Sequence, residues 1–130
     1  GCIHAGWKGA FLDIIKKTIN RIKKENSYYE IYASVGPCIG KKNYEVDLEF
    51  YRKFIVKSDK NRKYFTKKNK IKKLFDLRKF VTDKLLELNV KVDQINRDTY
   101  DDKNNFFSYR RSNILRQKDY GRCISTVRLI

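Results

Sequence analysis

Apolar residues recur along this chain with two different periods. From Ala10 to Lys24, Phe11, Ile14, Ile15, Ile19 and Ile22 fall three and four apart. That spacing lines one face of a helix and leaves Lys16, Lys17, Arg21 and Lys24 on the rest. A second helix is predicted over Asp47–Val56, with Leu48, Phe50, Tyr51, Phe54 and Ile55 as its apolar set, and a third over Leu77–Leu88, with Leu77, Phe80, Val81, Leu85 and Leu88. Asp76 is placed to cap the third, and Asn89 suits the left-handed residue that ends it. Strand-forming stretches are predicted at Ile31–Val35, Val90–Ile95 and Arg122–Leu129, with a short strand near Tyr64-Phe65 and a strand end at Gly1–His4. Phe106–Tyr109 is a short aromatic segment.

The punctuation lies between these elements. Ala5–Gly9 reads as a tight glycine-bearing turn, Gly36–Gly40 as a second one, and Lys23–Ser27 as a polar exit. Pro37, the only proline, fixes φ and withholds a donor in the second turn. There is no internal repeat and no linker. Helices and strands interleave, so the expected class is α/β (mixed α+β): a single domain with a mixed sheet flanked by helices.

Composition narrows the partners. The 130 residues suffice for one domain, and 41% hydrophobic residues allow a core. The formal net charge is +16, which would suit a basic nucleic-acid-binding module. Lysines, however, recur in most segments instead of gathering in one stripe, and a solvated lysine-rich surface is the reading preferred over nucleic acid. Lys57–Lys73 is the most basic run and reads as an exposed loop around its short strand. The three cysteines, Cys2, Cys38 and Cys123, form no CxxC and are odd in number, so neither a disulfide framework nor a zinc knuckle is indicated. Free thiols point to a reducing compartment, and the cytoplasm is expected. No apolar run approaches the roughly 20 residues of a membrane span. The chain has no Met and opens on Gly1-Cys2-Ile3-His4, which reads as the interior of a longer sequence whose N-terminal part lies upstream.

Three places carry candidate chemistry. His4, the single histidine, stands where a strand end meets the first glycine turn. In Gly6-Trp7-Lys8-Gly9 the glycines let backbone approach a ligand, the amides that open the next helix lack helical partners, and Lys8 adds a charge. This suits a phosphate or anion cradle; the alternative is a connector with Trp7 in the core. Cys38 reads by default as a small buried hydrophobe. In Phe106-Phe107-Ser108-Tyr109-Arg110-Arg111 the aromatics are read as core residues. Arg110 and Arg111 stand open between pairing with carboxylates and gripping phosphate.

Four blocks resemble one known family in the same order. His4-Ala5-Gly6-Trp7-Lys8-Gly9 is similar to its His-Ala-Gly-Trp-Arg-Gly signature. Val35-Gly36-Pro37-Cys38-Ile39-Gly40 with Tyr44-Glu45-Val46 resembles its second block. Phe106–Arg111 and Gly121-Arg122-x-x-Ser125 resemble its last two. The family is that of zinc-dependent purine nucleoside phosphorylases, long labelled laccase-domain or polyphenol oxidoreductase proteins (YfiH/YlmD-like). The resemblance implies that residues 1–130 are the C-terminal portion of one such domain. It implies one zinc site in which His4 is a ligand and the other two, a His and a Cys, come from upstream. The implied substrates are purine nucleosides (adenosine, inosine, methylthioadenosine) and phosphate, with deamination of adenosine in the same site. Gly6, Trp7, Lys8, Gly9, Arg110 and Arg111 are its candidate phosphate or substrate contacts. Lys8 departs from the usual Arg, keeping the charge and losing the fork, and Asp98 stands where many relatives carry Cys. A zinc ion with an open position makes hydroxide at neutral pH. Copper chemistry on phenols is the older alternative; multicopper oxidation needs many imidazoles, and this chain has one. These 130 residues alone are expected to be inactive.

Overall fold

In a computed structural model, residues 1–25 and 30–128 are described. Two short helices open the fold, α1 (Trp7–Phe11) and α2 (Ile14–Glu25). The long helix expected from Ala10 is therefore broken, and the break has a cause. Asp13 sits at φ 64°, a left-handed conformation that no continuous helix contains. Lys57 secures the break from the end of another helix. Its Nζ donates to the Asp13 carboxylate at 2.8 Å and to the Phe11 carbonyl, and lies 4.8 Å from the Phe11 ring centroid. The turn expected at Ala5–Gly9 is instead the start of α1, and Gly1–His4 is irregular, not a strand.

Two small sheets replace the one mixed sheet expected. β1 (Tyr32–Val35) pairs in parallel with β5 (Lys91–Gln94), Ala33 opposite Val92. β2 (Glu45–Asp47), β4 (Lys72–Phe75) and β3 (Phe65–Lys67) form an antiparallel sheet with β4 in the centre. β2 and β4 were not anticipated. α3 (Leu48–Lys57) leaves β2 directly, with Asp47 Oδ1 capping the Phe50 amide at 2.7 Å. α4 (Leu77–Leu86) is capped by Asp76 through the Lys79 amide at 2.9 Å, as expected; it ends two residues earlier than expected, and Asn89 takes its left-handed conformation (φ 58°) in the turn that follows. Tyr64 belongs to a 3₁₀ turn, Asp59–Tyr64, and the neighbouring strand begins one residue later.

The core is largely aromatic. Phe54 and Phe75 are wholly buried, with centroids 5.0 Å apart. Phe50 stacks on Phe54 at 4.9 Å, Phe65 on Phe75 at 4.8 Å, and Phe80 of α4 meets Phe54 edge-on at 5.3 Å. Tilted and edge-on arrangements of this kind add to simple burial. Ile15, Ile19, Leu77, Val81, Leu85 and Val90 complete the core around α2 and α4.

α5 (Tyr109–Ile114) closes the described structure. Two expectations fail here. Phe107 and Tyr109 are 56% and 61% exposed and do not fill the core. Residues 122–128 are irregular and exposed, not a strand, and position 129 lies outside the described residues. A strand needs a neighbour for its hydrogen bonds, and none lies beside this segment among the described residues.

Candidate functional site

Trp7 enters the site because α1 begins there. Gly6 caps α1 in extended conformation (φ −62°, ψ 167°), so its lack of a side chain answers a need for space and not for a left-handed turn. A Cβ at Gly6 would stand 3.0 Å from His4 Nε2. The His4 ring therefore folds back over Gly6, and His4 remains exposed. Lys8 is exposed, and Gly9 lies under the His4 carbonyl. The Trp7 indole packs onto Phe50, with ring centroids 4.8 Å apart.

Beyond Trp7 opens a cleft of about 270 Å³. Its walls are Trp7, Tyr44, Glu45, Val46, Asp47, Phe50, Lys72 and Arg110. Tyr44 follows a 3₁₀ turn at Lys41–Asn43 and is buried, which pushes its phenol up to about 12. It is thus a neutral wall at any physiological pH. Arg110 comes from the first turn of α5, whose Ser108 cap accepts from the Arg111 amide. Its Nη1 donates to the Glu45 carbonyl at 2.9 Å, and its guanidinium carbon lies 5.4 Å from the Tyr44 ring centroid. Trp7 belongs to the first of the four sequence blocks, Tyr44-Glu45-Val46 to the second, and Arg110 to the third. Residues up to a hundred positions apart thus line one cleft.

The two neighbouring arginines part company. Arg111 turns inward and donates to the carbonyls of Thr99 at 2.8 Å, Tyr100 at 2.6 Å and Phe106 at 2.5 Å. It staples the 99–106 loop to α5. Neither arginine forms an ion pair with a carboxylate among the described residues.

The second glycine turn is structural. The segments after β1 and β5 run side by side, with Cys38 bridged to Asp98 and the Thr99 amide donating to the Cys38 carbonyl at 3.1 Å. A Cβ at Gly40 would collide with the Asp98 carboxylate. Burial works against the charge on Asp98, yet hydrogen bonds from the Gly40 and Tyr100 amides and from Asn43 Nδ2 outweigh it and hold the carboxyl below its ordinary range. Burial raises the Cys38 thiol, partly opposed by the Arg78 guanidinium, so Cys38 is not an activated thiolate.

Among the described residues, no three His, Cys, Asp or Glu side chains gather where they would hold a metal. His4 offers one imidazole, and a tetrahedral zinc site needs three protein donors even when one position stays open. These residues alone therefore do not fit a zinc site.

A family model described as multi-copper polyphenol oxidoreductase laccase matches residues 1–130. The chain belongs to the YfiH purine nucleoside phosphorylase, or laccase-domain, family. A purine nucleoside phosphorylase of Rickettsia conorii is 38% identical over 116 residues, covering 86% of this chain and 47% of that protein. The purine nucleoside phosphorylase YfiH of Escherichia coli K12 is 32% identical over 130 residues, covering 98% and 49%. The chain thus spans about half the length of these laccase-domain relatives. A Neisseria meningitidis protein of this fold superposes with a TM-score of 0.73 at 26% identity, over 83% of this chain and 44% of that one. The Bacillus licheniformis hypothetical protein YfiH gives 0.75 at 23%, over 85% and 43%. The mixed α/β class is the fold of the family. No helix among the described residues is long and apolar enough to cross a membrane.

Of the sequence-level candidates, Trp7 and Arg110 line the cleft, whereas His4, Gly6, Lys8, Gly9 and Arg111 do not. Lys72, Asp47 and Phe50 were missed. Tyr44 and Glu45 lay in a quoted block, which was the available signal; Lys72 lay in a lysine run where nothing distinguishes it from its neighbours.

Proposed function

We propose that this chain contributes the nucleoside- and phosphate-binding side of a zinc-dependent purine nucleoside phosphorylase. Its substrates are adenosine, inosine or methylthioadenosine with phosphate, and adenosine is also deaminated. The observation that carries the reading is the convergence of three family blocks on one cleft with aromatic walls and an anchored guanidinium. Curated relatives at 31–38% identity bear the purine nucleoside phosphorylase name. Aromatic faces suit a purine, and a guanidinium with one edge tied down is pre-oriented for an oxyanion. His4 would supply one nitrogen to a zinc ion, and such an ion would bring Lewis-acid activation of water to the site. Trp7 and Phe50 shield the base from water, and Arg110 holds negative charge beside the ribose. Oxidation of phenols through several coppers needs more imidazoles than the single His4, so the phosphorylase reading is the one to test.

The test takes the protein in its natural full-length form with zinc. Hypoxanthine release from inosine that depends on phosphate, and ammonia release from adenosine, are expected. If neither product forms while zinc is bound stoichiometrically, the reading is wrong.

A further inference from the structure

The geometry points to Lys72 and Arg110 as a paired subsite for a phosphoryl anion, free orthophosphate or the phosphate of a sugar phosphate, at the mouth of the Trp7–Tyr44 cleft. The choice of phosphate rests on the phosphorylase reading; the pairing of the two cations does not.

Four charged side chains line the cleft: Glu45, Asp47, Lys72 and Arg110. Glu45 is paired with Lys68, whose hydrogen bond holds the carboxyl below its ordinary range. Asp47 caps α3 through the Phe50 amide and keeps its charge. The two cations have no such pairing. Among the described residues neither lies within ion-pair distance of a carboxylate. Arg110 spends one N–H on the Glu45 carbonyl and rests one face toward Tyr44, which fixes its plane and leaves its other donors unspent. Such a fork is built for two oxygens of one anion, and the lysine ammonium that lines the same cleft adds a point charge. A phosphate near neutral pH carries between one and two negative charges; with Glu45 offset by Lys68, the two cations outnumber the remaining Asp47 carboxylate and leave the lining positive.

Lys72 is singled out from its run by what its neighbours do. Lys68 is taken by Glu45, and Lys73 lies over the Tyr51 ring at 4.5 Å from its centroid. Lys67 and Lys70 are exposed on the β3–β4 hairpin and line no part of the cleft. Lys72 stands opposite Asp47 in the β2–β4 register, which directs its side chain to the cleft side of the sheet. A space of about 270 Å³ has room for a small phosphorylated molecule.

The full-length protein is titrated calorimetrically with sodium phosphate, and in parallel with ribose 1-phosphate, at constant ionic strength against sodium chloride. A saturable change with either phosphate and none with chloride is expected. A tighter response to ribose 1-phosphate assigns the sugar-phosphate source, and an equal one assigns orthophosphate. Lys72→Gln should weaken binding about tenfold or more. Arg110→Lys, which keeps the charge and loses the fork, should weaken it several-fold with unchanged circular dichroism. Lys70→Gln should leave it within twofold. No saturable response, or equal losses in Lys72→Gln and Lys70→Gln, would overturn the subsite. The two readings fail separately. In the full-length enzyme, Lys72→Gln should raise KM for phosphate while leaving that for inosine; an unchanged KM for phosphate sinks the subsite alone. Phosphate binding without any phosphorolysis sinks the functional reading alone.

Discussion

Arg110 and Arg111 are adjacent in sequence and opposite in role, and the difference arises from where α5 starts. The Ser108 cap fixes the first turn, so that Arg110 projects to the cleft and Arg111 to three loop carbonyls. Sequence alone shows two arginines after a Tyr and gives no helical phase, because the helix is only six residues long. His4 and Trp7 were legible as a block, but not that Trp7 lines the cleft and His4 does not. A third residue, Asp83, carries a prediction. Its carboxylate accepts from the Tyr64 hydroxyl at 3.0 Å and pairs with Lys63 at 2.7 Å and Lys79 at 3.3 Å. Burial opposes its charge, but these donors win and hold the carboxyl below its ordinary range. A depressed carboxylate stabilises the fold fully above the unfolded-state pKa and loses that contribution as pH falls through the native one. Asp83→Asn should therefore cost about 1–2 kcal/mol near neutral pH, the size of a partly screened charged hydrogen bond. Urea unfolding at pH 7 and again at successively lower pH checks it. The gap between the two proteins should close on acidification, and a gap that stays constant would show that lost packing, not charge, is responsible.

Among the elements, those with strong periodicity were legible and those made of lysine were not. α3 and α4 appear within two residues of their expected bounds, because their apolar stripes recur at three and four and an Asp precedes each. α2 was right in phase but not in extent, since nothing in Leu12-Asp13 signals a left-handed residue held by a lysine forty-four positions away. β4 reads Lys-Lys-Leu-Phe and hides its strand character: Lys73 sets its ammonium over the Tyr51 ring, so a polar letter occupies a partly covered position. The 122–128 segment has strand-forming residues, but propensity yields no strand without a partner edge. The caps give the prediction at this scale. Asp76 supplies the one side-chain acceptor at the start of α4, which carries Leu77, Phe80, Val81 and Leu85 into the core. Asp76→Ala should lower stability by about 1 kcal/mol without moving the helix, as the loss of an N-cap usually does. Chemical denaturation with a matched circular dichroism spectrum measures it, and a loss below a few tenths would mean that water replaces the cap at no cost.

The whole molecule carries +16 and spreads it, and that distribution decides how the fold responds to its medium. Its ion pairs among the described residues are mostly exposed, such as Arg21–Glu25, Lys53–Glu49 and Arg62–Asp59, and pairs of that kind are individually weak. The surplus cations on α2 and the β3–β4 hairpin repel one another at longer range. Screening shortens that range from about 30 Å in 0.01 M salt to about 10 Å in 0.1 M. Repulsion acts over many pairs and attraction over a few close ones, so added salt relieves more than it weakens. Sodium chloride raised from 0.01 to 0.3 M should therefore lift the melting temperature by a few degrees (roughly 2–5 °C for about 1 kcal/mol in a chain of this size). Phosphate at equal ionic strength adds a second, separable effect. If Lys72 and Arg110 bind it, linkage contributes RT ln(1 + [L]/Kd), about 1.4 kcal/mol at ten times Kd. Differential scanning fluorimetry in matched chloride and phosphate buffers resolves the two. The chloride effect should survive Lys72→Gln and the extra phosphate increment should not. A melting temperature that falls with chloride would show that the close pairs, not the dispersed surplus, dominate the electrostatics of the fold.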